Sequence, residues 1–287
     1  MTTKANNAYA IEIARPLRRE RPPRAALFDF DGTLSLIREG WQNVMTPYFR
    51  DVLLEVADPR KETPESVERV AREFIDKITG KQTIYQCIRL AEEVAARGGV
   101  PLDPLDYKKE YLRRLQERIQ DRIDKLESGR VEPDELIVPG GRRFLSLLRD
   151  AGIKLYLASG TDEIYVKREA RLLQLSEFFD GGIYGAQDDY KTFSKALVIE
   201  RLIKTNNLDG ADLVGFGDGY VEIENVKAVG GFAVGVATNE AAPGQGVDEW
   251  KRRRLLDAGA DAIVPDFSDP VRLFEFVVGV ARADGDR

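Results

Sequence analysis

Short apolar runs alternate with amphipathic segments along most of this chain. Each run has the length of a buried strand, and several stop at Gly, Ser or Asp, residues that commonly end strands. Apolar residues at helical spacing fill the intervening segments over 142–150, 163–175 and 194–204. Strands that alternate with helices predict an α/β fold around an open, mostly parallel sheet. The predicted strands are 25–28, 153–158, 182–184, 213–216, 232–236 and 262–264.

A long helical insertion interrupts this alternation after the first strand. Thr63 followed by Pro64 is typical of a helix start, because Thr caps the backbone and Pro suits the first helical position. We predict a separate α-helical domain over 35–135, inserted between the two parts of the α/β core, 24–34 and 136–287. Apolar residues at helical spacing within the insertion are Val67, Val70, Phe74 and Ile78, and later Leu112, Leu115, Ile119, Ile123 and Leu126.

The first 23 residues differ from the rest because they combine several arginines with prolines and have no apolar stretch. They therefore do not resemble a secretory signal, and we expect a loose N-terminal extension over 1–23. A basic amphipathic targeting segment is the alternative. The chain has no run of about 18 apolar residues, so we expect no membrane partner.

The composition narrows the possible chemistry. The 287-residue chain contains no histidine, which excludes Ser-His-Asp triads, Cys-His pairs, histidine-ligated zinc and histidine general bases. Its net charge of −6 argues against a nucleic-acid partner. One cysteine, Cys87, permits no intrachain disulfide, which suits a cytoplasmic protein, and we expect its thiol to pack in the core. Catalysis must come from carboxylates, lysine, arginine or hydroxyls, with a hard metal ion.

Polar residues follow three of the predicted strands. Asp29 and Asp31 follow the first, Ser159 and Gly160 the second, and Asp218 the fourth. Ligands of open α/β sheets bind beyond the carboxyl ends of the strands, so these residues are candidates for one site. Asp-Gly pairs also form turns, and Ser-Gly also caps helices, so each motif alone has a purely structural interpretation.

Together, four motifs in this order resemble the haloacid dehalogenase-like hydrolase superfamily over about residues 24–285. The resemblance implies a Rossmann-like three-layer core with a mostly parallel sheet and an inserted α-helical cap. It implies the phosphatase branch with the first type of cap, similar to phosphoglycolate and phosphoserine phosphatases. The motifs are Asp29-Phe30-Asp31-Gly32-Thr33, then Ser159, then Lys195, and finally Gly217-Asp218-Gly219 with Glu222.

The resemblance also implies a role for each catalytic residue. Asp29 would attack phosphorus and form an aspartyl-phosphate, while Asp31 would act as general acid and then base. Ser159 and Lys195 would bind the phosphoryl oxygens. Lys191 competes with Lys195 for the third motif; Lys195 is preferred because its distance from Asp218 along the chain resembles that of phosphoserine phosphatases.

Magnesium is the implied cofactor, since Mg²⁺ takes carboxylate and carbonyl oxygens and retains water ligands. The implied ligands are Asp29, the backbone carbonyl of Asp31, and Asp218. Glu222 would be an auxiliary ligand that reaches the metal only through water or an intervening residue, because many relatives carry the shorter Asp there.

Substrate contacts are expected from the first two motifs and from the cap. Thr33 and Gly160 adjoin the predicted nucleophile and phosphate site. Cap residues close to the first motif or to the break between predicted helices are specificity candidates, although all of them also suit ordinary packing or solvent. They are Arg38, Trp41, Gln42, Lys81 and Gln82.

We therefore expect a Mg²⁺-dependent phosphatase that hydrolyses a small phosphorylated metabolite, as a monomer or homodimer. A phosphomutase of the β-phosphoglucomutase kind is the nearest alternative. A phosphonatase would require a cap lysine that forms a Schiff base, for which Lys81 is the candidate. A non-catalytic phospholigand-binding protein on the same fold has no need of both Asp29 and Asp31.

Overall fold

The computed structural model describes residues 10–16, 21–187, 190 and 194–279. Its centre is a seven-stranded sheet with the order β1-β7-β6-β5-β2-β3-β4. Strands β2 to β7 pair in parallel, and β1 pairs antiparallel with β7. The strands are β1 Glu12–Ile13, β2 Ala25–Phe28, β3 Lys154–Asp162, β4 Gly182–Ala186, β5 Leu213–Gly217, β6 Phe232–Val236 and β7 Ala262–Val264.

Both faces of the sheet are buried, which makes the core a three-layer α/β structure. Alternate residues of β2 point to opposite faces. Phe28 stacks on Phe216 with ring centroids 4.6 Å apart on one face, and Leu27 packs with Ile199 and Ile223 on the other. The core helices are α5 Gly141–Asp150, α6 Glu163–Leu172, α7 Lys195–Asn206, α8 Tyr220–Ala228, α9 Glu249–Asp257 and α10 Pro270–Val278.

The insertion over 35–135, described throughout, consists of four helices and their connections. Thr63 caps the second of them, since its side chain accepts a hydrogen bond from the Ser66 N–H at 3.2 Å. The predicted start at Pro64 is confirmed. The domain boundaries proposed from the sequence stay a prediction. The four helices are α1 Gln42–Leu54, α2 Pro64–Ile78, α3 Thr83–Ala96 and α4 Pro104–Glu127.

The predicted loose N-terminal extension is wrong for part of its length. Glu12–Ile13 pairs with β7 and completes one edge of the sheet, and Arg252 on α9 binds the Glu12 carboxylate at 2.6 Å. A two-residue strand carries too little periodicity to be recognised, and it forms because β7 offers unpaired backbone groups. Residues 1–9 and 17–20 lie outside the described part of the chain.

Two further features of the fold bear on the sequence predictions. Cys87 is buried in α3, as expected for a packing residue. Within the described residues, no helix combines the length and the apolar character that a membrane crossing requires.

Candidate active site

Three neighbouring strands bring the predicted motifs to one edge of the sheet. In the pairing register Phe28 of β2 lies opposite Phe216 of β5 and Leu157 of β3. Residues just beyond these positions therefore meet, and the Asp29 N–H donates to the Phe216 carbonyl at 2.9 Å. They line a cavity of about 90 Å³. Its wall on the sheet side is formed by Asp29, Asp31, Ser159, Gly160, Thr161, Lys195 and Asp218.

Asp29 is buried at the base of this cavity and pairs with Lys195. The lysine Nζ lies 2.9 Å from Asp29 Oδ1 and also contacts the Glu222 carboxylate. Burial raises the pKa of Asp29 to about 6; Lys195 opposes this shift, and the negative charge of Asp218 adds to it. A buried carboxylate beside a fixed ammonium is suited to nucleophilic attack on an anion. Lys191 lies outside the described residues, and Lys195 occupies the position beside Asp29.

Asp31 is held by two hydroxyl groups from β3. Its Oδ2 accepts hydrogen bonds from Thr161 Oγ1 at 2.8 Å and from Ser159 Oγ at 3.3 Å. Its Oδ1 is buried and has no hydrogen-bond donor among the described residues. Sequence reasoning assigned no role to Thr161, although residues two apart on a strand point to the same side.

Arg38 lies behind Asp31 rather than extending freely into the cavity. Its guanidinium binds Glu169 of α6, with Nη2 2.7 Å from Oε1, and its Nε lies 3.7 Å from Asp31 Oδ1. Both Arg38 and Glu169 are buried. Arg38 does line the cavity as predicted, but its guanidinium is already in an ion pair with Glu169. The sequence contained no signal for that ion pair.

Thr33 has a different position from the one predicted. It is fully buried and does not line the cavity. Its hydroxyl accepts a hydrogen bond from the Asp218 backbone N–H at 3.0 Å. Thr33 therefore joins the first motif to the fourth, and this corrects its assignment as a substrate-binding residue.

Glu222 does not line the cavity, and its auxiliary role toward a metal ion stays a prediction. Its carboxylate is buried, 3% exposed, and contacts the Lys195 ammonium. The longer Glu side chain reaches the lysine, so Lys195 lies between Glu222 and Asp29. Glu222 thereby fixes the ammonium that faces the nucleophile.

A lysine that sequence reasoning did not include belongs to the site. Lys251 of α9 is buried, and its Nζ lies 2.7 Å from Asp218 Oδ2 and 2.6 Å from Glu240 Oε1. Although burial opposes it, these two carboxylates raise the pKa of Lys251 well above its usual value. Lys251 lies on a helix and Glu240 in a turn, and sequence reasoning assigned a role to neither. Their neighbours are charged, so no pattern distinguished them.

The insertion closes the cavity from above. Trp41 and Lys81 line it, together with Tyr111. A Cβ added to Gly160 would lie 2.8 Å from the Lys81 carbonyl oxygen, so glycine permits the close approach of this segment to β3. Two predicted specificity residues, Gln42 and Gln82, do not line the cavity. Gln82 is buried, its Nε2 donates to the Tyr190 carbonyl at 3.2 Å, and it lines a neighbouring cavity with Gly160 and Lys195, so its substrate-binding role stays a prediction.

The donor set fits a hard divalent cation. Around the cavity, six carboxylates face three paired cations and Lys81, so carboxylates outnumber cations. The described residues contain no preformed cluster of three or more metal-binding side chains. Mg²⁺ needs only one or two carboxylates besides carbonyl and water oxygens. The carboxylates are Asp29, Asp31, Glu169, Asp218, Glu222 and Glu240, and the paired cations are Arg38, Lys195 and Lys251.

Comparisons with known proteins agree with the fold. A family model described as haloacid dehalogenase-like hydrolase matches residues 23–230. A solved structure described as a predicted phosphatase from Clostridium acetobutylicum has a TM-score of 0.55 and 20% identity over 89% of this chain and 99% of its own. A haloacid dehalogenase-like family protein from Streptococcus pneumoniae has a TM-score of 0.55 and 20% identity, over 88% and 98%. β-Phosphoglucomutase from Clostridium difficile has a TM-score of 0.51 and 16% identity, over 82% and 98%. No curated protein sequence gives a significant match.

Proposed function

Because the chain belongs to the haloacid dehalogenase-like hydrolase family, we propose that it is a Mg²⁺-dependent phosphatase that uses Asp29 as nucleophile. The observation that carries the proposal is the buried Asp29 carboxylate with Lys195 Nζ at 2.9 Å and Asp31 in the same cavity. A carboxylate nucleophile divides phosphate-ester hydrolysis into two easier steps. The expected substrate is a small phosphorylated metabolite.

In the first step, Asp29 attacks phosphorus and forms an aspartyl-phosphate while the ester oxygen leaves. Lys195 offsets negative charge on the phosphoryl oxygens and on Asp29. Protonated Asp31 gives its proton to the leaving oxygen, so an alcohol departs rather than an alkoxide. The Ser159 and Thr161 hydroxyls, which hold Asp31 Oδ2, keep this group beside the ester oxygen.

In the second step, Asp31 is ionised and takes a proton from water. The water oxygen attacks phosphorus, the bond from phosphorus to Asp29 breaks, and inorganic phosphate and free Asp29 result. One residue thus acts as acid and then as base, and its two hydroxyl partners remain compatible with either protonation state, because a hydroxyl both donates and accepts.

The carboxylates of Asp29 and Asp218 and the backbone carbonyl of Asp31 would hold Mg²⁺. When bound, the ion would reduce the repulsion between Asp29 and the phosphate dianion and orient the phosphoryl group. Thr33 supports this arrangement by binding the Asp218 backbone.

The insertion limits the size of the leaving group that the cavity can hold. With a cavity of about 90 Å³ lined by Trp41, Lys81 and Tyr111, the space beyond the phosphoryl position suits a compact group. Closure of these residues over the substrate would exclude water from the aspartyl-phosphate until the alcohol leaves.

The proposal is tested by hydrolysis of p-nitrophenyl phosphate and of a panel of phosphoglycolate, phosphoserine, sugar phosphates and nucleotides, with Mg²⁺ and with EDTA. We expect Mg²⁺-dependent phosphate release that Asp29→Asn abolishes and that Asp121→Asn, an exposed change on α4, leaves intact. Full activity of Asp29→Asn would contradict the proposal. Dependence on a sugar bisphosphate activator would indicate a phosphomutase instead.

A further inference from the structure

A second lysine, besides Lys195, pairs with a carboxylate of the site. Lys251 Nζ lies between Asp218 Oδ2 and Glu240 Oε1, at 2.7 Å and 2.6 Å, and its side chain is 10% exposed. The backbone of Gly32 closes the same space, because a Cβ at that position would clash with Asp218 Oδ2 and lie 2.9 Å from Glu240 Oε1. The ammonium, the two carboxylates and the Gly32 backbone are thus tightly packed.

This packing determines which carboxylate oxygen of Asp218 is available in the cavity. Its Oδ2 is taken by Lys251, so only Oδ1 is available to a metal ion. Glu240 is held in the same ion pair, which removes a further carboxylate from the metal's reach. Without Lys251, the cavity edge would offer both oxygens of Asp218 and the Glu240 carboxylate in addition to Asp29.

Magnesium and calcium differ in what they accept. Mg²⁺ requires near-octahedral geometry with short bonds and single carboxylate oxygens, whereas Ca²⁺ takes six to eight oxygens and accepts carboxylates through both oxygens. We propose that Lys251 is a positioning residue that makes the site select Mg²⁺ over Ca²⁺, by restricting Asp218 to one oxygen and withholding Glu240. This inference rests on the proposed Mg²⁺ dependence.

A merely structural role for Lys251 makes a different prediction. Helix α9 is already fixed by Asp248, which accepts hydrogen bonds from the N–H groups of Trp250 and Lys251, and by the fully buried Leu255. If Lys251 served only to anchor the helix, its replacement would lower stability and change the affinities for both metals in parallel. Only the positioning role changes the preference between them.

The test is calorimetric titration of the metal-free full-length protein with MgCl₂ or CaCl₂ alone, without substrate. We expect wild type to bind Mg²⁺ more tightly than Ca²⁺, and Lys251→Met to reduce this preference by about tenfold, mainly through tighter Ca²⁺ binding. Lys227→Met is the matched control, because it removes a lysine that pairs with Asp261 at 2.8 Å outside the cavity. It should leave the preference unchanged.

A charge-balanced variant provides for the case in which Lys251→Met does not fold. Lys251→Met with Glu240→Gln removes one positive and one negative charge and still frees Asp218 Oδ2, so the preference should again fall. An unchanged Mg²⁺/Ca²⁺ ratio in a folded variant that binds Mg²⁺ overturns this inference alone. Failure of wild type to bind Mg²⁺ overturns the proposed function, and the inference with it.

Discussion

The Lys195 ammonium lies 2.9 Å from the Asp29 carboxylate, and both side chains are almost completely buried. Burial disfavours the ionised carboxylate, and the lysine only partly offsets this effect, so the pKa of Asp29 is raised to about 6. The candidate nucleophile therefore lowers the stability of the metal-free protein near neutral pH. A residue that is unfavourable for folding yet retained in a cavity is expected where function requires it.

This relationship predicts how stability depends on pH. The folded pKa of Asp29 lies above its unfolded value of about 3.9, so its stabilising contribution is complete below that value and is lost as pH rises through about 6. Asp29→Asn has no ionisable carboxyl group at this position, so it does not lose this stability as pH rises. In EDTA, the free energy of unfolding of Asp29→Asn should therefore exceed that of wild type more at pH 7.5 than at pH 4.5, by about 1–3 kcal/mol. The free energies are measured by urea denaturation. If the difference between Asp29→Asn and wild type is the same at both pH values, the raised pKa of Asp29 is contradicted.

Thr33 should contribute to stability through Asp218. Thr33→Val keeps the shape but removes the acceptor of the Asp218 N–H, which leaves a partly buried donor unpaired at a cost of about 1–3 kcal/mol. Thr33→Ser retains the hydroxyl and is the control. Phosphatase activity should fall in the Val variant, since Asp218 loses its backbone anchor. Retention of full activity and stability by Thr33→Val would show that the hydrogen bond is unimportant.

Gly160 should matter for the approach of the insertion to the sheet. In Gly160→Ala the new Cβ would lie 2.8 Å from the Lys81 carbonyl oxygen, so the Lys81 segment must move. We expect kcat/KM to fall about tenfold or more, because small displacements of substrate-positioning groups are costly. Thermal unfolding should show that the fold persists. Unchanged kinetics would mean that the segment closes in another way.

Cys87 should be unreactive in the native protein. Burial raises the pKa of its thiol to about 12, and the thiolate is the reactive form. Reaction with a disulfide reagent at pH 8 should therefore be very slow until denaturant is added, when one thiol per chain should react. Rapid modification without denaturant would contradict the burial of α3 against the rest of the core.

The sequence was sufficient for those features that depend on local pattern. Apolar runs located six strands, and because parallel strands end at one edge, Asp29, Asp31, Ser159, Lys195 and Asp218 line one cavity as expected. Contacts between distant polar residues were not predictable. Glu240 and Lys251 lie among charged neighbours, and Thr33 and Gln82 have unremarkable local surroundings. Only the packed structure determines which polar groups face each other.

The account depends most directly on covalent chemistry at Asp29. Enzyme mixed with Mg²⁺ and substrate, quenched in acid and reduced with borohydride, should contain homoserine at position 29, because this reagent reduces an aspartyl-phosphate. Peptide mass spectrometry should locate the change at that position only, and should find it neither without substrate nor in Asp29→Asn. Turnover that leaves position 29 unmodified, or that modifies another aspartate such as Asp31, would contradict Asp29 as the nucleophile.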